Sequence, residues 1–297
     1  MMRESGHRSF AEDHATTKNL VVTADDFGAA IAVNEAVEIA HRDGILTAAS
    51  LMVAGAAAAD AVVRARRLPM LGVGLHVVLI DGEPVLPPEQ IPALVGPDGR
   101  FRTDMLRTAL AVAFNPSARR QMEAEVAAQF AAFAATGLPL DHVNAHKHFH
   151  LHPMIASAIL RAGRCHGLRA MRVPVEAGAG AALNWWAGLL GQRLRRVGIT
   201  VNDRVVGLVG SGNFDASLMR AALETLPDGL TEIYCHPATA DAWLGSAPGY
   251  CYRDELAGLI NPEVRAALIA SGVECGSFAR FAAARPEPAT RLGAMVA

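Results

Sequence analysis

The chain reads as an α/β protein, a single domain built on a parallel sheet covered by helices and closed, fully or partly, into a β/α barrel. Three observations predict this. At least six apolar strand segments alternate with helical ones, the pattern of right-handed crossovers between parallel strands. The strands are continuous apolar runs, as expected when both faces are buried. Polar residues with chemical potential collect where these runs end, on the side where α/β enzymes place their sites. An open doubly wound sheet satisfies the same periodicity, because periodicity does not report closure.

In chain order, 19–24 is a valine-rich strand that runs into Asp25-Asp26-Phe27-Gly28. A helix follows over 29–42 and ends at Gly44; 47–53 is the next strand and 56–67 an alanine-rich helix with arginines in its last turn. Residues 72–79 form a third strand, and the Pro- and Gly-rich segment 81–99 reads as a long loop. Over 116–136 a long helix places Met122, Val126, Phe130 and Phe133 on one stripe. Leu138, Leu140 and Val143 then read as a short strand leading into the histidine stretch, and Pro153 opens the helix 153–166. Further expectations are a strand at 170–173, a helix at 183–197, a short strand at 205–208, a helix at 216–225, a strand at 231–235 and a helix at 262–270. No Ser-, Gly- or Pro-rich linker divides the chain. The expected domain is 18–282, flanked by a polar N-terminal tail, 1–17, and a C-terminal tail, 283–297.

Composition excludes several classes. The chain has 297 residues, 52% of them hydrophobic, and a formal net charge of −2. That is enough for a full core, and with no basic block nothing predicts a nucleic-acid partner. The four cysteines, at 165, 235, 251 and 275, form no CxxC pair, which argues against a zinc ribbon, a redox motif or a disulfide framework. No signal-peptide-like run or membrane-length apolar segment is present, so a cytoplasmic location is expected.

Residues 141–153, DHVNAHKHFHLHP, hold five of the eleven histidines. In an extended strand Asn144, His146, His148 and His150 share one face, an arrangement suited to binding metal or moving protons. His146 and His150 have the spacing of a metalloprotease zinc helix, but that motif needs glutamate where Lys147 stands. Asp25 and Asp26 follow strand one, His76 lies in strand three, and His236 ends a late strand. One carboxylate with two imidazoles makes a catalytic metal set with open positions, and a second carboxylate beside it is the natural base. Hydrolysis is the chemistry this set suggests. The competing local readings are a helix-capping role for one aspartate and a hydrogen-bonded core role for His76.

Five motifs carry a family resemblance: Thr23-Ala24-Asp25-Asp26-Phe27-Gly28, Gly74-Leu75-His76, His142 through His150, Arg172-Val173-Pro174 and Cys235-His236-Pro237. In this order they resemble the YdjC-like carbohydrate deacetylases, which include chitooligosaccharide deacetylases and a branch associated with hopanoid biosynthesis. The resemblance implies a distorted β/α barrel, related to polysaccharide-deacetylase-like barrels, that deacetylates N-acetylated sugars with a divalent cation, Mg²⁺ or Zn²⁺. It implies Asp26, His76 and His146 as metal ligands, Asp25 as base and His236 as acid. Arg172 is expected to keep Asp25 ionised, and His148 and His150 to orient ligands or touch the sugar. Chitooligosaccharide-type members carry aspartate where this chain has Asn144, so Asn144 is expected to hydrogen-bond or orient rather than carry charge, and the departure counts against chitooligosaccharide itself as the substrate within the N-acetylglucosamine class. If the hopanoid branch is the right one, the amino sugar is lipid-linked and peripheral contact with the inner face of the membrane follows. A homodimer is a further expectation from the family.

The helix at 183–197 bears on membrane contact. Leu183, Trp186, Leu190, Leu194 and Val197 form the expected core stripe, with Trp185, Leu189 and Arg193, Arg195 and Arg196 beside it. Trp and Arg on an amphipathic helix suit a membrane interface, and a barrel-covering helix is the simpler reading. Two rival functions remain: a metal-dependent sugar isomerase or epimerase on the same barrel, and a non-catalytic metal- or sugar-binding protein.

Overall fold

The computed structural model describes residues 17–283, so the two expected tails lie outside the described residues except for Thr17 and Ala283. The first half of the barrel is β1 (Lys18–Phe27), α1 (Ile31–Asp43), β2 (Ala48–Leu51), α2 (Ala58–Ala65) and β3 (Gly72–Val77). Next come α3 (Met105–Phe114), α4 (Pro116–Ala135), β4 (Val143–Ala145), α5 (Pro153–Arg164) and α6 (Ala181–Arg196). The chain continues through β5 (Arg204–Val206), α7 (Ala216–Glu224), β6 (Gly229–Cys235), α8 (Tyr252–Leu259), α9 (Pro262–Ala270), β7 (Glu274–Cys275) and α10 (Phe278–Ala283).

All pairings between these strands are parallel, in the order β4-β3-β2-β1-β6-β5, with β7 against the start of β1. The sheet curls until its ends are joined by short bridges. Val143 pairs with Met171 and Ala170 with Thr200, and the Val205 N–H donates to the Val175 carbonyl at 2.8 Å. The result is a distorted barrel rather than an open doubly wound sheet. The strand expected at 170–173 is reduced to those bridges. Pro174 has no N–H for a ladder, and the Asn202 side chain pairs both ways with the Val173 backbone, at 2.8 and 2.7 Å, where a neighbouring strand would.

Inside the barrel, polarity rises from one end to the other. The inward face of β1 reads Val21, Thr23, Asp25. At the bottom Val21, Ala48, Ala170 and Leu230 pack with Phe278 and Phe281 of α10, which plugs that end. The outward residues Leu20, Val22 and Ala24 belong to the main core beneath the helices, so β1 is buried on both faces, as its apolar run predicts.

Two helical expectations needed correction. On α6 the buried residues are Ala187, Leu190, Gly191 and Leu194. Leu183, Trp186 and Val197, expected in the core stripe, are at least 36% exposed. The packed face instead places Ala187 and Gly191 inward, where their small size lets the helix approach Val173. The α3 and α8 helices were not anticipated; α3 is apolar on its solvent side, with Leu106, Leu110 and Phe114 exposed, which hid its periodicity.

Candidate functional site

Adjacent residues on a regular strand face opposite ways, so Asp25 and Asp26 share a site only if the strand is irregular. Opposite β2, the register advances three residues on β1 between Ala24 and Phe27 but two on its partner, a bulge. Asp26 adopts the left-handed region, φ 61°. Such a conformation costs a non-glycine residue roughly 1 kcal/mol and is best tolerated by Asp and Asn. Here it turns both carboxylates into the barrel. Neither caps α1, whose N-cap Ala30 lacks a side-chain cap; Asn34 takes the Gly28 N–H at 2.8 Å instead.

Asp26, His76 and His146 converge. Asp26 Oδ1 lies 3.2 Å from His76 Nε2 and 3.2 Å from His146 Nδ1, and the two ring nitrogens are 3.3 Å apart. The corners of that triangle lie about 1.9 Å from its centre, slightly less than the ~2.0–2.2 Å of zinc bonds to nitrogen and oxygen, so one ion just off its plane would reach all three. The donor set and its spacing therefore fit a divalent cation. Among the described residues these three are the group with metal-ligand geometry. Burial works against ionising Asp26, but His146 and His76 hold its carboxyl well below the usual range. Burial also disfavours a charged His76, yet Asp25, Asp26 and Asn144 raise its pKa above the ordinary value.

Asp25 belongs to a separate, fully buried ion network. Arg172, with no exposed surface, donates to Asp25 at 2.5 and 3.0 Å and to Glu232 at 2.9 and 2.7 Å. Asp25 also accepts from Asn144 Nδ2 at 2.9 Å, and Glu232 from Thr23 Oγ1 at 2.8 Å. Burial opposes the Asp25 charge, but Arg172, more than any other neighbour, drives its pKa far below the usual carboxylate range. With both its partners buried as well, Arg172 makes no surface salt bridge here. Its guanidinium also lies over the Tyr234 ring, 4.6 Å from the centroid.

The histidine stretch is not the extended strand its alternation predicts. β4 ends at Ala145 and a tight 3₁₀ segment follows, with Lys147 and His148 both left-handed, φ 52° and 54°. The one-face expectation therefore holds only for Asn144 and His146. His148 turns toward the Tyr234 hydroxyl, 3.2 Å away. His150 is fully buried with neither ring nitrogen partnered among the described residues, and burial, helped by Arg172, pushes its pKa down to about 3. It is not a solvated loop residue. His236 follows β6. Its Nδ1 is buried with no partner among the described residues, and its ring lies 5.5 Å from Tyr234 and 5.3 Å from Tyr250.

Residues 19–270 match the model of the family described as YdjC-like protein. The chain belongs to the YdjC-like family. A carbohydrate deacetylase of Brevibacillus brevis is 33% identical over 222 residues, covering 75% of this chain and 82% of that one. A carbohydrate deacetylase of Mus musculus is 34% identical over 253 residues, 78% of each chain. A crystal structure of an Enterococcus faecalis protein assigned to cellobiose-phosphate cleavage superposes with a TM-score of 0.73 over 89% of this chain and 99% of that one, at 24% identity. That likeness establishes the fold.

Glu232 escaped sequence reading although a signal existed: it is the one charged residue in the apolar strand Leu230–Cys235, where a buried charge needs a partner. Ser50 and Tyr234 sit in strands without any motif of their own, and only the inward direction of their side chains brings them to the site.

Proposed function

We propose that this protein is a metal-dependent hydrolase that removes the acetyl group from an N-acetylated sugar. The single observation that carries the reading is the Asp26, His76 and His146 triangle beside an ionised, arginine-held Asp25. Relatives named carbohydrate deacetylases supply the substrate class. Asp26, His76 and His146 would hold the cation, which as Zn²⁺ or Mg²⁺ polarises the acetyl carbonyl and lowers the pKa of a water molecule.

Asp25 takes the proton from the attacking water. Arg172 and Asn144 hold its carboxylate in one orientation, and Arg172 keeps it ionised and ready to accept. His236 delivers a proton to the departing amine, which would otherwise be a very poor leaving group. Tyr234 and His148 line the same end of the barrel, where a sugar would lie.

Release of acetate from a panel of N-acetylglucosamine conjugates, soluble and lipid-linked, tests the reading. An isomerase or epimerase would turn over sugar without acetate, and a binding protein would turn over nothing. His236→Ala is expected to lower turnover by roughly 10²- to 10⁴-fold with bound metal unchanged. If that variant loses its metal, His236 is a ligand and the assignment fails.

The surface of α6 favours a lipid-linked amino sugar, of the hopanoid-glycolipid kind, as the specific substrate. Trp185 is 66% exposed, Leu189 41%, and Arg193, Arg195 and Arg196 occupy the last turn. No helix among the described residues is long and apolar enough to cross a membrane, so the contact would be peripheral. Equal binding to anionic liposomes by the wild type and a Trp185→Ser, Leu189→Ser double variant would remove the membrane contact while leaving deacetylation untouched.

A further inference from the structure

The barrel interior holds a second set of polar groups, beneath the triangle. Ser50 on β2 pairs across the ladder with Gly74 on β3, and Leu75 with Val143 places His142 at the next position along the same row. A Cβ on Gly74 would come within 2.5 Å of the His142 ring, and one on Gly72 within 2.7 Å of the Asp141 carboxylate. The two glycines thus leave room for the imidazole to cross β3 and reach Ser50. His142 Nε2 is 2.9 Å from Ser50 Oγ, and its Nδ1 is 2.9 Å from Asp141 Oδ2. Aspartate, histidine and serine in this order resemble a nucleophilic triad, but Ser50 and His142 have no exposed surface, so no substrate reaches them.

The direction of every hydrogen bond in this row follows from its far end. Asp141 accepts the N–H groups of Phe278 and Ala279 at the start of α10, at 3.2 and 2.9 Å, and these bonds suit a carboxylate that only accepts. His142 Nδ1 therefore carries the proton, and its Nε2 accepts from the Ser50 hydroxyl. The Ser50 oxygen then accepts from Asn144 Nδ2 at 2.8 Å, while the other Asn144 N–H goes to Asp25. The Asn144 oxygen is left facing His76 Nδ1 at 2.6 Å, so that nitrogen carries a hydrogen. In the neutral ring His76 Nε2 then holds the lone pair, aimed at the corner it shares with Asp26 and His146.

We infer that Asp141, His142 and Ser50 form a buried relay of positioning residues that fixes the orientation of Asn144 and, through it, the His76 tautomer able to bind a cation. The binding consequence rests on the metal reading above; the tautomer does not. A ligating histidine commonly donates its other ring N–H to a fixed acceptor, and losing such a partner typically costs 10- to 100-fold in metal affinity. Here the acceptor is an amide that is itself held from behind.

The test uses full-length protein with ¹⁵N-labelled histidine. In the metal-free wild type, at alkaline pH where the His76 ring is neutral, two-bond ¹H–¹⁵N spectra are expected to show it protonated at Nδ1 and not at Nε2. Ser50→Ala is expected to mix the two tautomers and to weaken Zn²⁺ binding, measured by calorimetric titration, about tenfold. In an Asn144→Ala background the same substitution is expected to cause no further loss, because the relay acts through that amide. His142→Phe, close in shape to the imidazole, breaks the same link and gives a second reading should Ser50→Ala fail to fold. Unchanged His76 signals and unchanged affinity in a folded relay variant, or an equal loss with and without Asn144, would overturn the relay. A wild type that binds no Zn²⁺ while its His76 tautomer still responds to Ser50→Ala would support the relay and sink the metal reading alone.

Discussion

Two neighbouring clusters at the mouth of the barrel differ in one respect: whether they are complete in themselves. Asp25, Arg172 and Glu232 are buried together, each carboxylate meeting the guanidinium through two bonds and a further donor from Asn144 or Thr23. Asp26, His76 and His146 present three lone-pair-bearing atoms to one point, with at most a proton between any two of them. The first cluster answers its own charges and holds Asp25 in one orientation. The second is an acceptor-rich corner on a strained backbone turn, and strain held at an unfinished corner is the mark of a ligand site. The difference teaches that of two adjacent aspartates, Asp25 is satisfied by protein partners, whereas Asp26 meets two imidazole nitrogens at a corner that a cation would fit.

That contrast is open to attack at several points. The largest effect is expected for Arg172→Met, which strands two buried carboxylates and should lower the unfolding free energy in urea by about 3–5 kcal/mol at pH 7. A loss below about 1 kcal/mol would mean the network is not the closed structural unit described. Asp26→Asn should act in the opposite sense. Asparagine accepts the same left-handed backbone, so the metal-free variant should stay folded, while the stabilisation by Zn²⁺ disappears. In the wild type that stabilisation is about 2.7 kcal/mol at a free concentration of 100 Kd. If Asp26→Asn keeps it and Asp25→Asn loses it, the two aspartates have exchanged roles.

His150 supplies an effect that is set by pH. Its folded pKa, about 3, lies below the unfolded value near 6.5. The unfolded chain therefore binds a proton that the native state refuses. The stability that this neutral histidine contributes is present above pH 6.5 and is lost as pH falls toward 3, by about 1.4 kcal/mol for each unit. His150→Phe should flatten that limb of the stability profile, and an unchanged slope would show that His150 becomes charged inside the folded protein.

The helices at 116–135 and 262–270 and the parallel strands were legible because their signals are periodic and local. The long α4 stripe, with Met122, Val126, Phe130 and Phe133 all buried, needed nothing beyond spacing. The convergence of Asp26, His76 and His146 was legible for a different reason: aspartate and histidine at strand ends stand out against apolar runs. The course of the histidine stretch after Ala145 was not, since alternation cannot foresee two successive left-handed residues at Lys147 and His148. Neither could it foresee that Glu232 shares Arg172, because partners 60 residues apart meet only once the barrel curls.

The residues themselves determined which chemistry was available here, since only carboxylates, imidazoles and a guanidinium at the ends of buried strands carry it, and side-chain type and period-two spacing are properties of the chain alone. Tertiary structure decided how those groups divide the work. A one-residue bulge turned Asp25 and Asp26 to the same interior, Arg172 claimed the first, and two histidines from β3 and the end of β4 closed on the second. The physical reason is that charge and lone pairs act over a few ångströms, and those distances exist only between strands that the fold has brought side by side.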